Sequence, residues 1–510
     1  MPDIDHAISR NGTSALAANP GGVVLLRCTH CGTSLTAKAD GAVACTSCDA
    51  MFSTDDGVID FVASTAATAL DDIDYDRFYR INLESSRRLY QTVKAAAGPL
   101  WPRHLGDALE VGCGTGGFSM AVLRQSAASH VVLTDVSTKM LRICRARLNE
   151  LGSVRAASLT FASYSGVEDC LAPDAFDTCY GTSVVHHITD VPRFLRHIRQ
   201  ALKPGGRAFF VEPNARFHQA LTSTLANILA ASLRQPVIPQ QDMGVMYNWL
   251  AEVHCNLVNS GETEILAERE DKHQFTAESF EAMAGDAGFA FATSMPCDVD
   301  PTGWDTIRVY LGQCAVSEQT LEVLRQLWPL AQRWYFPSLA ERDRSPSYLF
   351  WLTRTPRQSL RRRGPAAPAR QAAQAATADP AADPAPIDLW LELAIQRTGD
   401  CLELVAEGWC VATDRVKLVA IAVGDCTLRL PIWRPRPDVL IAFNSGHIYP
   451  PLHALCSGIA GKVPLRDQLL DDGRTAVRID VVTVDNRVIP GGTIDLVPNG
   501  GSELLSMTTR

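Results

Sequence analysis

The 510-residue chain has no long hydrophobic run, and none of its apolar stretches approaches the roughly 20 residues that a membrane span requires. The best candidate, Leu221 to Leu233, is broken by Thr, Ser and Asn and followed by Arg234, so it reads as a packed or surface helix. The N-terminus, MPDIDHAISRNG, lacks a basic start followed by an apolar stretch; nothing there marks the chain for export, and a cytoplasmic location is the default expectation. Positive charge is also short: 47 Lys and Arg stand against 56 Asp and Glu, a net charge of −9. Phosphate binding depends on Lys and Arg releasing counterions, so a general affinity for nucleic acid is disfavoured. A disulfide framework is missing too. The 15 cysteines are odd in number and most stand singly (Cys113, Cys144, Cys170, Cys179, Cys255), which suits a reducing compartment.

What is present is the balance of a globular protein, 46% apolar and 20% charged, in a chain long enough for about three units. Residues 356–386, PRQSLRRRGPAAPARQAAQAATADPAADPAP, are Ala- and Pro-rich without apolar periodicity and read as an extended linker. Residues 1–21 are similarly patternless and are expected to be disordered. This leaves a cysteine-paired segment at 22–64, an α/β body at 70–355 and a C-terminal unit at 387–510.

In the body, short apolar runs alternate with helical patterns, which predicts a doubly wound α/β sheet of parallel strands. Strands are expected at Ala108 to Val111, Val131 to Thr134, Leu159 to Phe161, Phe176 to Tyr180 and Ala208 to Val211. Ser137 can cap a helix with Met140, Leu141, Cys144 and Leu148 on one face. Asp190 can cap another with Phe194, Leu195, Ile198 and Leu202. The C-terminal unit changes period: Leu402 to Val405, Val416 to Val423, Thr427 to Leu430 and Val477 to Val484 are short and β-rich, predicting an antiparallel sandwich.

The segment LEVGCGTGG sets Glu110, Gly112, Gly114, Gly116 and Gly117 between a strand and a helix, where glycines let the backbone turn tightly against a ligand. Gly112, Gly114 and Gly117 also satisfy GxGxxG, so a nicotinamide dinucleotide competes at this point. Glu110 separates the two, because a carboxylate at the strand end attracts the cationic amino acid end of S-adenosylmethionine and repels a pyrophosphate. Asp135, closing the second strand in LTDVS, is placed to accept both ribose hydroxyls.

With FDTCYGTSVVHHITD and LKPGGRAFFVEPN downstream, these blocks resemble the class I S-adenosylmethionine-dependent methyltransferases, strongly over 105–215 and more weakly to 355. The resemblance implies that Glu110, Gly112, Gly114 and Gly116 surround the methionine part of the cofactor and that Asp135 holds its ribose, with Ser137 and Met140 near the adenosine. Many relatives place an Asp after the third strand for the adenine amino group. Here FASYS leaves Ser163 or Tyr164 to that role. His186 and His187 follow the fourth strand, where cofactor and acceptor meet, and are the candidates for a general base. The stretches 212–275 and 296–345, with Tyr247, Trp249, His254, His273, Trp304 and Tyr335, are expected to cap the acceptor pocket, and Thr276 to cap a late helix ending at Gly288.

Cys28, Cys31, Cys45 and Cys48 form two CxxC turns with thirteen residues between them, the spacing of a structural Zn²⁺ site with four protein ligands. The segment resembles the zinc ribbons that precede some methyltransferase domains, ribosomal RNA guanine methyltransferases among them. Its charge opposes an RNA role: only Arg27 and Lys38 stand against Asp40, Asp49, Asp55, Asp56 and Asp60. A second basic cluster, Arg354, Arg357, Arg361, Arg362, Arg363 and Arg370, lies beside the linker. In the C-terminal unit, the GW turn at Trp409 and RPDV at Arg436 to Val439 resemble small β modules attached to glycosyltransferases and methyltransferases of surface-glycan assembly. Trp409 and Trp433 are core residues or sugar-stacking surfaces. The expectation is methyl transfer, preferably to oxygen, on a small-molecule or glycan-linked acceptor. RNA methylation and a non-catalytic cofactor-binding scaffold stand as alternatives.

Overall fold

The structure, a computed structural model, describes residues 23–38, 42–62, 83–151, 154–266, 269–298, 303–355, 387–398, 401–424, 426–432, 434–444, 449–465, 475–496 and 503–509. The readings for residues 1–21, the linker 356–386 and Trp433 lie outside these.

The cysteine turns are joined by short strands, β1 (Leu35–Ala37), β2 (Val43–Cys45) and β3 (Met51–Phe52), paired as one antiparallel sheet. The chain then leaves that sheet through β4 (Thr54–Asp55) and β5 (Val58–Ile59) and joins the main one. The main sheet is completed by β6 (Ala108–Val111), β7 (Ala128–Asp135), β8 (Ala156–Ser163), β9 (Phe176–Thr182), β10 (Leu202–Pro213), β11 (Phe291–Pro296) and β12 (Ser347–Thr353). Its order is β11-β12-β10-β9-β6-β7-β8-β5-β4. Strands β5 to β10 run parallel, while β12 is antiparallel to β10 and β11 to β12. Each expected body strand falls within one of these. The antiparallel edge is the part that alternation of strand and helix did not predict.

Helices α1 (Leu83–Ala97), α2 (Gly117–Gln125), α3 (Thr138–Glu150) and α4 (Val191–Ala201) accompany the parallel strands. Ser137 Oγ accepts the Met140 N–H at 3.2 Å, starting α3, and Met140, Leu141, Cys144 and Leu148 are its buried face. Such a cap contributes about 1 kcal/mol. Asp190 caps α4 in the same way, and Phe194, Leu195 and Ile198 are fully buried, whereas Leu202, expected on the same face, is the first residue of β10. Burial of each stabilises by about 1.5–3 kcal/mol.

Two pairs of helices interrupt the late strands: α5 (Ala215–Ser232) with α6 (Gln240–Val258), and, after α7 (Ala277–Asp286), α8 (Trp304–Gln313) with α9 (Glu318–Tyr335). The apolar run from Leu221 is the packed face of α5, with Leu221, Leu225 and Leu229 buried. Thr276 and Ser279 form a reciprocal cap on α7, and Gly288 follows the helix with φ of 86°.

The C-terminal unit contains β13 (Ile387–Thr398), β14 (Cys401–Ala412), β15 (Val416–Val423), β16 (Cys426–Pro431), α10 (Pro437–Asn444), α11 (Pro451–Leu455), β17 (Gly458–Leu465), β18 (Thr475–Thr483), β19 (Val488–Leu496) and β20 (Glu503–Thr509). They pair as two four-stranded antiparallel sheets, β17-β14-β13-β20 and β16-β15-β18-β19, with one apolar core drawn from both. The RPDV segment runs into α10. Val439 and Leu440 of α10 and Leu452 and Leu455 of α11 enter the same apolar cluster as Leu221 and Leu225 of α5, so the helical insertion and the C-terminal unit share a core. Trp409 is half-buried against Phe443, with ring centroids 5.7 Å apart.

Candidate active site

Strand order reverses beside β6: β7 and β8 follow on one side, β9 and β10 on the other. Ligands of open α/β sheets bind at such a switch point, beyond the carboxyl ends of the strands. The glycine turn occupies it. Gly112, Gly114 and Gly116 all have positive φ, 65°, 51° and 90°. A Cβ on Gly112 would lie 2.3 Å from Val184 Cγ2, and one on Gly116 2.9 Å from Cys144 Sγ. Asp135 ties this turn to β7, accepting the Gly114 N–H on Oδ2 at 2.9 Å and the Ser137 N–H on Oδ1 at 3.0 Å. These bonds orient the carboxylate at the carboxyl end of β7.

Glu110 lies beneath the turn, 2% exposed, and its Oε2 has no hydrogen-bond partner. Burial pushes its carboxyl up to about 7; the hydroxyls of Ser119 and Tyr180 oppose the rise and the charge of Asp135 adds to it. An orphaned acidic acceptor beside a second carboxylate is a poor place for a pyrophosphate and a fitting one for a cation. The residues present therefore suit S-adenosylmethionine, with its ammonium and sulfonium charges, better than a dinucleotide.

The residues expected near the adenosine divide. Ser137 and Met140 stand at the start of α3, buried beside Asp135. Ser163 is buried, but its hydroxyl is committed elsewhere: Oγ accepts the N–H groups of Phe61 and Val62 at 2.7 and 2.9 Å and donates to Asp60 Oδ1 at 2.6 Å. Tyr164 is buried in the core with its hydroxyl donating to the Gly166 carbonyl at 3.0 Å. Ser163 therefore has no acceptor position left for an adenine amine, and Tyr164 is enclosed in the core.

On the other side of the switch point, His186 and His187 form a single helical turn, Val185–His187, after β9. His186 is buried and its Nδ1 is 2.5 Å from Oε2 of Glu212, a wholly buried residue near the end of β10. The same carboxylate accepts the N–H groups of Val184 and Val185 at 3.1 and 2.9 Å, so it fixes the turn as well as the ring. The His186 Nε2 lies 3.5 Å from Asp271 Oδ1. Burial by itself would lower the His186 pKa, but the charges of Glu212 and Asp271 outweigh it and hold it up at about 9. His187 differs: burial and the neighbouring His186 push it down to about 4. Its Nδ1 contacts the Glu270 carbonyl at 3.2 Å. The pair is thus resolved into one imidazole oriented by a carboxylate and one packed under the 270–273 segment. Sequence reasoning missed Glu212 and Asp271. The signal for Glu212 was an acid ending the strand next in space to the histidine turn.

Of the residues expected in the cap, Tyr247, Trp249 and Trp304 pack in the cluster of the helical insertion. His254 faces His453 of the C-terminal unit, 6.4 Å between centroids, and His273 stacks on Phe275. The side chain of Tyr335 is outside the described residues.

The four thiols converge: Cys28 and Cys48 sulfurs are 3.6 Å apart, Cys31 and Cys45 3.4 Å, and all four lie within 4.8 Å of one another. Four thiolates about 2.3 Å from one Zn²⁺ have sulfur separations of about 3.8 Å, so the turns fit a tetrahedral ion. The N–H groups of Cys48 and Ser47 point at Cys45 Sγ from 3.4 and 3.3 Å and hold that thiol down at about 6. His30 is exposed. Of the basic cluster, Arg354 pairs with Asp174, and the others lie outside the described residues.

The methyltransferase-domain family profile matches residues 109–208. A highly reducing polyketide synthase of Purpureocillium lilacinum is 26% identical over 223 residues, 41% of this chain and 9% of that protein. The malonyl-[acyl-carrier protein] O-methyltransferase of Magnetococcus marinus is 31% identical over 102 residues, 20% of this chain and 36% of that one. The chain thus spans well under half of either relative. A solved S-adenosylmethionine-dependent methyltransferase of Mesorhizobium loti covers 54% of this chain and all of its own at 19% identity, with a TM-score of 0.32. Residues 109–208 thus carry a methyltransferase domain. Among the described residues no helix is long and apolar enough to cross a membrane.

Proposed function

We propose that this chain is an S-adenosylmethionine-dependent methyltransferase acting on a small-molecule or glycan-linked acceptor, with His186 as general base and an oxygen as the methylated atom. The observation that carries the reading is the His186–Glu212 pair at the carboxyl ends of β9 and β10, across the switch point from the glycine turn. Glu110 and Asp135 would hold the cationic and ribose parts of the donor, with Ser137 and Met140 against its adenosine. Bound S-adenosylmethionine supplies an electrophilic methyl group and departs as S-adenosylhomocysteine. The protein's own work is placement, for which effective molarities reach roughly 10⁵–10⁸ M, and removal of a proton. His186 Nε2 takes the acceptor's proton while Glu212 holds Nδ1 and stabilises the imidazolium, a contribution of about 10²–10⁴ in rate.

The matched polyketide synthases favour one other acceptor, a polyketide, for which the same base serves. The four cysteines are proposed to hold a structural Zn²⁺. Docking of the cysteine segment into the sheet edge gives that segment a role other than RNA reading, and the shared core of insertion and C-terminal unit suggests that this unit braces the cap. Calorimetry with S-adenosylhomocysteine, with NAD as control, tests the donor. Transfer of labelled methyl into fractionated cell extract tests the acceptor: label in a small-molecule or glycan fraction that disappears with His186→Ala supports the reading, label in RNA rejects it, and no label in any fraction favours a scaffold.

A further inference from the structure

The carboxyl ends of four parallel strands form one row. Gly112 follows β6, Asp135 closes β7, Ser163 closes β8, and Asp60 directly follows β5, with Asp135 level with Ser163 and Ile59 level with Ala162. Strand spacing puts Asp60 about 5 Å beyond Ser163 and about 10 Å from Asp135. That is close to the span of a nucleoside from its ribose hydroxyls to the far edge of its base. The last strand of the row is contributed by the cysteine segment, not by the crossover series of the sheet.

The position of Asp60 is built rather than incidental. Its backbone N–H donates to the Ser53 carbonyl at 3.0 Å, and the turn before β5 places Gly57 against Arg145 of α3, where a Cβ would lie 2.7 Å from Nη1. Ser163 Oγ takes the two following N–H groups as acceptor and gives its one proton to Asp60 Oδ1. A hydroxyl has one donor and two acceptor positions, so Ser163 is saturated. The Asp60 carboxylate at this end of the row is half-buried, and a carboxylate has acceptor positions beyond the one that Ser163 fills.

We propose that Asp60, delivered by the cysteine segment and held by Ser163, accepts the exocyclic amine of the donor's purine and thereby selects adenine. The proposal rests on the methyl-donor reading of the glycine turn. An ionised carboxylate only accepts, so it favours an amine over a carbonyl at the same ring position. It also makes the cysteine segment a wall of the cofactor site.

The test is calorimetry of the full chain with S-adenosylhomocysteine and with S-inosylhomocysteine, in which a carbonyl replaces the amine. The wild type is expected to prefer the adenine compound by about tenfold or more. Asp60→Asn, whose amide can donate as well as accept, is expected to narrow or invert the preference, and Asp60→Ala to abolish it. Hydrogen exchange of the β8 amides, unchanged in both variants, reports that β5 is still docked. Retention of wild-type affinity and preference by both variants overturns the proposal. So does an equal loss for the two compounds together with lost β8 protection, which would make Asp60 a docking residue alone. Failure of the wild type to bind S-adenosylhomocysteine rejects the methyl-donor reading itself.

Discussion

Glu110→Gln separates binding from stability, because the same carboxylate that suits a cationic donor strains the ligand-free protein. Its carboxyl rises from 4.5 to about 7, with burial as the main cause, and the side chain is wholly enclosed. At about 1.36 kcal/mol for each tenfold change in proton affinity, ionising it inside the fold costs about 3 kcal/mol once the pH exceeds 7. The sign follows from proton counts: between pH 4.5 and 7 the folded protein holds a proton that the unfolded chain has released, so stability falls as pH rises and levels off beyond. Glutamine keeps the shape and removes the charge. Native-state hydrogen exchange of the β6 and β7 amides should therefore show Glu110→Gln more stable than wild type by about 2–3 kcal/mol at pH 8 and little different at pH 4.5. Calorimetry on the same variant should show S-adenosylhomocysteine binding weakened by about tenfold or more, since a charge-assisted contact is lost. A variant that is destabilised equally at both pH values, or that binds the ligand as wild type does, would refute the reasoning.

His186→Ala should lower kcat by about 10²–10⁴ with the fold intact, measured by methyl transfer. Because the base must be neutral and Glu212 and Asp271 hold its pKa at about 9, kcat/KM of the wild type should climb with pH through a midpoint near 9 and level only above it. Glu212→Gln should move that midpoint down toward the ordinary 6.5 of imidazole while reducing the plateau, and an unmoved midpoint would count against Glu212 as the positioning residue. Elemental analysis should find one zinc per chain, and Cys45→Ser, by removing a ligand of a site that contributes about 10–16 kcal/mol, should unfold β1 to β3 and weaken S-adenosylhomocysteine binding through loss of β5. Lys417, 7% exposed, pairs with Glu262 after α6. Lys417→Ala should loosen the C-terminal unit by about 1–3 kcal/mol, read by proteolysis near the linker, and replacing both partners with apolar residues should restore most of the loss.

The parts of this protein set by local chemistry were legible in the chain. Glycines at 112, 114 and 116 are required because the backbone there is left-handed and packed against Val184 and Cys144, and Ser137, Asp190 and Thr276 start their helices by capping bonds a few residues away. The two CxxC turns are equally local, and the parallel strands announced themselves by apolar runs between helices. In contrast, the antiparallel edge, the partition of the two histidines and the neighbours of Ser163 involve residues far apart in sequence: His186 with Glu212 and Asp271, Ser163 with Asp60 about a hundred residues earlier. Strand order alone decides which carboxyl ends stand side by side, and hydrogen bonds across that row decide which hydroxyl is saturated and which carboxylate is left to meet a ligand. Residue type and spacing therefore determined the glycine turn and the four convergent thiols. Which histidine meets a buried carboxylate, and which acid stands beside Ser163, was decided only when the sheet brought β5, β8, β9 and β10 into register.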